Sequence, residues 1–122
     1  MIGMRMNEPR PYEVWLMWVE YPDHPGVGKV RPVVVVKVAD DVASGVVAKV
    51  TSVTTWDEAG DVPLLDWREA GLLKPSMVRC GQRFEFAVSD LKRRFGMLSV
   101  RDAANVAVGL DLTKHVTPYR RR

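Results

Sequence analysis

Two histidines and one cysteine are all the imidazole and thiol chemistry in this 122-residue chain. His24 and His115 lie far apart and Cys80 stands alone, with no HExxH, CxxC or paired spacing, so the sequence encodes neither a zinc centre nor an internal disulfide. A GxSxG elbow is absent, which leaves acyl-transfer hydrolysis without support. GVGK at residues 26–29 looks like a phosphate loop but lacks the Walker spacing and the Ser or Thr that should follow. What remains is electrostatic chemistry. Arg31 precedes Pro32 and a valine run, Thr51 and Ser52 close a second valine-rich segment, and Ser76, Arg79 and Gln82 add donors from a third. Arginine presents a planar, permanently charged fork that fits phosphate oxygens, and short hydroxyls donate to the same oxygens. Each residue also has an ordinary structural use: Thr51 as a β-former, Arg79 as a surface ion-pair partner and Ser76 as a turn residue after Pro75.

The elements that must position these residues are mostly strands. EVWLMWV at 13–19 is apolar almost throughout, as suits a strand packed on both faces. YPDHPGVGKV, with two prolines and two glycines, forbids regular structure and makes a long loop. RPVVVVKV at 31–38 and VVAKVTSV at 46–53 are so rich in valine that a hairpin across ADDVASG is expected. This places Arg31 at the loop–strand junction, where proline is tolerated, and Thr51 at the end of the partner strand. Residues 61–66 read as a short strand, 67–71 as a helical turn closed by glycine, and SMVRCGQRFEF as a further strand. SDLKRRFG at 89–96 reads as another helical turn. Ser99 followed by Asp102 resembles a shortened capping box, and Ala103, Val106, Ala107 and Leu110 recur at helical spacing. A helix of about three turns is therefore expected on one face of a mainly antiparallel sheet or barrel, with Gly109 costing it about 1 kcal/mol.

Composition agrees with one compact domain: 47% hydrophobic against 27% charged. A chain of this length buries a core without disulfides or structural metal. The longest unbroken apolar run, 14–19, falls far short of the roughly 18 residues a membrane span needs, and no apolar stretch follows the early Arg5, so a cytoplasmic location is expected. Twelve of the eighteen basic residues are arginine, the net charge is +3, and the terminal Arg120, Arg121 and Arg122 are expected to be a solvated tail.

The order and spacing of EVWLMWV, GKVRPVVVVKV, VVAKVTS, GLLKPSMVRCGQ and RRFGMLS, spread over about residues 12 to 112, resemble the PemK/MazF family of toxin endoribonucleases. The resemblance implies an SH3-like barrel of the PemK/CcdB type at 12–114, between an amino-terminal arm at 1–11 and a basic tail at 115–122. It also implies a homodimer, cofactor- and metal-free cleavage of single-stranded RNA, and neutralisation by a cognate antitoxin. Arg31 matches the catalytic arginine of the family's Arg-Pro block, and Thr51 the threonine that acts with it. Arg79 matches an arginine used in the PemK branch as proton donor, and Gln82 a glutamine near the RNA groove, with Lys29, Ser52 and Ser76 also expected against the RNA. His24 lies in the same loop as a PemK-branch histidine. The PemK branch places an aspartate, proposed as general base, where this chain has Gly81, so the base is unassigned, with His24 the first candidate and Glu20 the second.

Cleavage of this kind requires a 2′-hydroxyl to attack the adjacent phosphorus, with one proton removed, another supplied to the 5′-oxygen, and charge on the phosphorane stabilised. Arg31, Arg79 and Thr51 suit the last task. Trp18, Tyr21 and Trp56 are candidate stacking residues for splayed bases, whereas Trp15 belongs to the core. Two other classes share the fold: a CcdB-like module that grips DNA gyrase, and a degenerate member that binds RNA or antitoxin without cleaving.

Overall fold

The computed structural model describes residues 8–54 and 58–120. Six strands and one helix follow in the order β1 (Glu13–Glu20), β2 (Gly28–Val38), β3 (Ser44–Thr51), β4 (Asp61–Pro63), β5 (Met77–Ala87), β6 (Leu91–Met97) and α1 (Val100–Leu112). They form one antiparallel sheet in the order β4-β5-β3-β2-β1-β6, bent and not closed.

Strand periodicity divides the core. Val14, Val34, Ala48, Val50 and Val78 face Val106 of α1, while Trp15, Met17, Val33, Val35, Val47 and Phe86 pack together on the opposite face. Both faces of the central strands are therefore covered, which explains their unbroken apolar runs. The β2–β3 hairpin forms as the valine content predicts. At 67–71, the Leu72 amide bonds to the Trp67 carbonyl and the Gly71 amide to that of Arg68, with Gly71 at φ +85°, a glycine-closed helical turn.

Three expectations are corrected. Of the helical turn expected over 89–96, only Ser89 and Asp90 lie in one, a 3-10 turn at Val88–Asp90; residues 91–97 form strand β6, because β1 has a free edge that β6 fills, and Arg94 pairs with the buried Glu13 at 2.7 Å. Its Lys92, Arg93 and Arg94 then serve as the charges that discourage pairing at an outer strand. The strand expected over 61–66 ends at Pro63. The carboxy-terminal tail is not wholly solvated: Tyr119 pairs with β5 beside Phe84, its hydroxyl donates to Glu20 at 3.0 Å, and Arg120 pairs with Glu85 at 2.9 Å.

Helix α1 starts where the capping signal places it. Ser99 Oγ accepts from the Asp102 amide, but the Asp102 carboxylate turns away from the helix and accepts from the Leu65 and Asp66 amides at 2.9 and 2.8 Å. Asp66 in turn accepts from Arg101 and Ser99, hydrogen bonds that hold its carboxyl down at about 2. Ala107 faces solvent; the inward stripe is Asp102, Val106 and Gly109, ending on Thr113. At the other end of α1, Arg83 donates to the Leu110 carbonyl and Thr113 Oγ1, satisfying orphan acceptors of the last turn.

Gly109 is explained by close approach. A Cβ there would lie 2.8 Å from Cys80 Sγ and 2.9 Å from Val62 Cγ2. Gly109→Ala is therefore expected to destabilise the fold by about 1–3 kcal/mol despite the higher helix propensity of alanine, measured by denaturant unfolding. Stabilisation by the substitution would contradict this packing.

Candidate active site

Pro32 shapes the site. Residues 28–32 of β2 pair with β1 alone, and pairing with β3 begins only at Val33 opposite Lys49. Arg31 and Pro32 thus lie inside β2 rather than at its first residue, as the sequence had implied, but still where the second ladder has not begun. Lacking an N–H, proline fits a position with no ladder bond to donate. Beyond Lys49, β3 runs on to Thr51 against β5 only. The two strands part between Arg31 and Thr51, and a cleft of about 610 Å³ opens there.

Arg31, Lys49, Thr51, Ser52 and Ser76 line this cleft, with Leu16 and the 71–74 turn, and Arg93 and Phe95 of β6 contribute to its wall. A second cleft of about 180 Å³ adjoins it, lined by Glu20, Tyr21, Gln82 and Phe84 and again by Arg31 and Lys49. The two clefts form one groove across the outer ends of β2 and β3, with Arg31 in the middle. Arg31 is exposed and makes no hydrogen bond or ion pair among the described residues, so its fork is available. Thr51 Oγ1 accepts from the Val53 amide at 3.1 Å, which leaves its hydroxyl proton to donate.

Other expected residues stand differently. Arg79 is buried and bound to Asp61 at 2.9 Å, their side chains 8% and 3% exposed, so it lines neither cleft and sends only its field toward Lys49 opposite. The Ser76 hydroxyl donates to the Lys74 carbonyl at 2.8 Å, the turn role open to it after Pro75. Ser52 and Gln82 are in the groove; Lys29 is exposed but outside both linings. His24 is exposed on its loop, where its amide donates to the Tyr21 carbonyl, and it reaches neither cleft. Glu20 borders the smaller cleft with both oxygens taken, one by the Gly26 amide at 2.8 Å and one by Tyr119. Of the rim aromatics, Tyr21 lines the smaller cleft, Trp18 lies over Gly28 outside both, and Trp56 is outside the described residues.

Gly81 does not open a gap in the groove. A Cβ there would meet the Ala59 carbonyl and the Thr113 methyl at 3.6 and 3.7 Å, neither of which lines the clefts, so an acid at this position would point away from Arg31. Cys80 is fully buried, and burial pushes its thiol up to about 11, which keeps it protonated and unreactive.

Lys49 is the residue that sequence reading missed. It lies two positions before Thr51 in a strand, so period-two alternation puts both on one face, and that spacing was the available signal. Burial, then the positive fields of Arg31 and Arg79, lower its pKa from the ordinary 10.5, with Glu58 and Tyr21 pulling the other way.

Solved structures share this architecture. A Mycobacterium tuberculosis toxin, MazF-mt6, superposes with a TM-score of 0.64 at 25% identity, over 88% of this chain and 99% of its own. An endoribonuclease in complex with its cognate antitoxin, from a mycobacterial species, gives 0.68 at 13% identity over 89% and 97%. The MazE–MazF structure from Deinococcus radiodurans gives 0.61 at 16% identity over 89% and 96%. No curated protein matches the chain. The family model of the PemK-like, MazF-like toxins covers residues 10–113, the whole sheet and α1 together, and a match of that extent makes this chain a member of that family of type II toxin–antitoxin systems.

Proposed function

We propose that the protein is a sequence-selective, metal-independent endoribonuclease that cleaves single-stranded RNA through attack of the 2′-hydroxyl, and that it acts as the toxin of a type II pair. The observation that carries this reading is that Arg31, unpaired among the described residues, and the Thr51 hydroxyl line one cleft, where β2 and β3 part at Pro32. Arg31 clamps non-bridging oxygens by charge-assisted bonds and stabilises the phosphorane, while Thr51 orients the phosphate. Arg79 acts through Asp61 and Lys49, as a positioning residue rather than an oxygen clamp. Tyr21 in the smaller cleft and Phe95 in the larger supply faces for unstacked bases, and Ser52 and Gln82 supply donors and acceptors for base edges.

Arg31 and Lys49 bring to both clefts the kind of positive charge a metal would bring, which supports the metal-independent reading. The expected partner is a cognate antitoxin that covers this groove, and a homodimer brings two such grooves together. The described residues contain no helix long and apolar enough to cross a membrane. The test is incubation of the purified protein with a mixed RNA pool in excess EDTA, with cut sites mapped. Cleavage at a restricted set of sites is expected. Activity that vanishes in EDTA and returns with magnesium contradicts the reading.

A further inference from the structure

Among the described residues, only Arg31 and Lys49 line both halves of the groove. Lys49 sits in the floor of β3 between two neighbours, opposite Val33 on β2 and Arg79 on β5, and shares a strand face with Thr51. It is half-buried, and no described carboxylate forms an ion pair with it. A half-buried cation with no ion pair among the described residues, between a free arginine and a buried one and with only the fields of Glu58 and Tyr21 to offset them, is a costly arrangement, and such arrangements concentrate at functional sites.

We propose that Lys49 is the general acid of the site, donating its ammonium proton to the departing 5′-oxygen. This rests on the ribonuclease reading above; Lys74 and Tyr21 also carry a donatable proton, but each lines one half of the groove, whereas Lys49 lines both. Arginine holds its proton too tightly to give it up near neutral pH. His24 does not reach the groove, Glu20 is committed to Gly26 and Tyr119, and Cys80 is buried. In the step, the 2′-oxygen bonds to phosphorus as the P–O5′ bond breaks. The 2′-proton leaves to a solvent water as hydronium, the Nζ proton passes to the 5′-oxygen, and the neutral amine recovers a proton from hydronium.

The surroundings of Lys49 favour this role. Arg31 from β2 and Arg79 from β5 repel its positive charge, and partial burial strips water from it, so the ammonium is a stronger acid than a free lysine. Glu58 and Tyr21 oppose this, and Arg93 stands on the far wall of the larger cleft. The donor must be protonated. The rate is therefore expected to fall as pH rises through the Lys49 pKa, at a midpoint below the ordinary lysine 10.5.

The test uses an oligonucleotide containing one mapped cleavage site, made once with the normal 5′-oxygen and once with a bridging 5′-sulfur, whose thiolate leaves without being protonated. Lys49→Gln, and Lys49→Arg, which keeps the stem and the charge but not the labile proton, should each slow cleavage of the oxygen linkage by roughly 10²-fold. On the sulfur linkage both should approach the wild-type rate, whereas Arg31→Ala should remain impaired on both. Equal losses on the two linkages, or no loss on oxygen, would overturn the assignment to Lys49. A wild-type protein that cuts neither linkage would overturn the ribonuclease reading itself.

Discussion

Replacing Arg31 with alanine is expected to slow RNA cleavage by roughly 10²–10³-fold while leaving the melting curve unchanged. Arg31 is exposed and makes no hydrogen bond or ion pair among the described residues, so its loss strands no partner. Its charge reaches both clefts, so its loss removes the phosphate clamp from the middle of the groove. The same substitution at Arg79 is a poorer probe, because it would leave the carboxylate of Asp61, 3% exposed, buried without its cation. Initial rates on one oligonucleotide, with a thermal melt of each variant, separate the two. A folded Arg31→Ala protein that cleaves at the wild-type rate would remove Arg31 from the chemistry.

The largest loss of stability is expected at Asp102. This fully buried carboxylate accepts from the Leu65 and Asp66 amides and so ties the start of α1 to the segment after β4. Asp102→Ala leaves both amides without an acceptor, and bonds to a charged acceptor contribute more than neutral ones, so a loss of roughly 3 kcal/mol is expected. Asp102→Asn keeps one acceptor oxygen and should fall between wild type and alanine. Urea unfolding with an unchanged slope checks both values. A midpoint for Asp102→Ala indistinguishable from wild type would show that water satisfies those amides.

The contrast between these positions explains what the sequence makes legible. Valine runs and alternation carry β1, β2, β3 and β5, because a strand covered on both faces must be apolar along its length. Ser99 announces the start of α1 because its cap is local. The strand at 91–97 is hidden, since Lys92, Arg93 and Arg94 carry no β signal and only the free edge of β1 draws the segment into the sheet. The docked tail is hidden for the same reason: Tyr119 finds Glu20 and β5 only once the sheet has bent.

At the site, Arg31 and Thr51 are legible because each sits at a mark the sequence does show, a proline and a strand end. Lys49 is legible only through the face it shares with Thr51, and its electrostatic setting depends on Arg79 lying opposite, which is a matter of strand register. The commitment of Arg79 to Asp61 is tertiary, and no spacing encodes it, whereas the bond of Ser76 to the Lys74 carbonyl two residues back is the local turn that Pro75 marks.

The central claim is that the nucleophile belongs to the RNA and that the protein supplies charge and a proton. An oligonucleotide with a single 2′-deoxy nucleotide on the 5′ side of the mapped cut tests it most directly. Wild-type protein should bind this oligonucleotide as it binds the all-RNA strand, fail to cut it at that position, and leave a 2′,3′-cyclic phosphate and a 5′-hydroxyl on the all-RNA strand. Cleavage at the 2′-deoxy position would show that water or a protein group attacks the phosphorus, and would contradict the account.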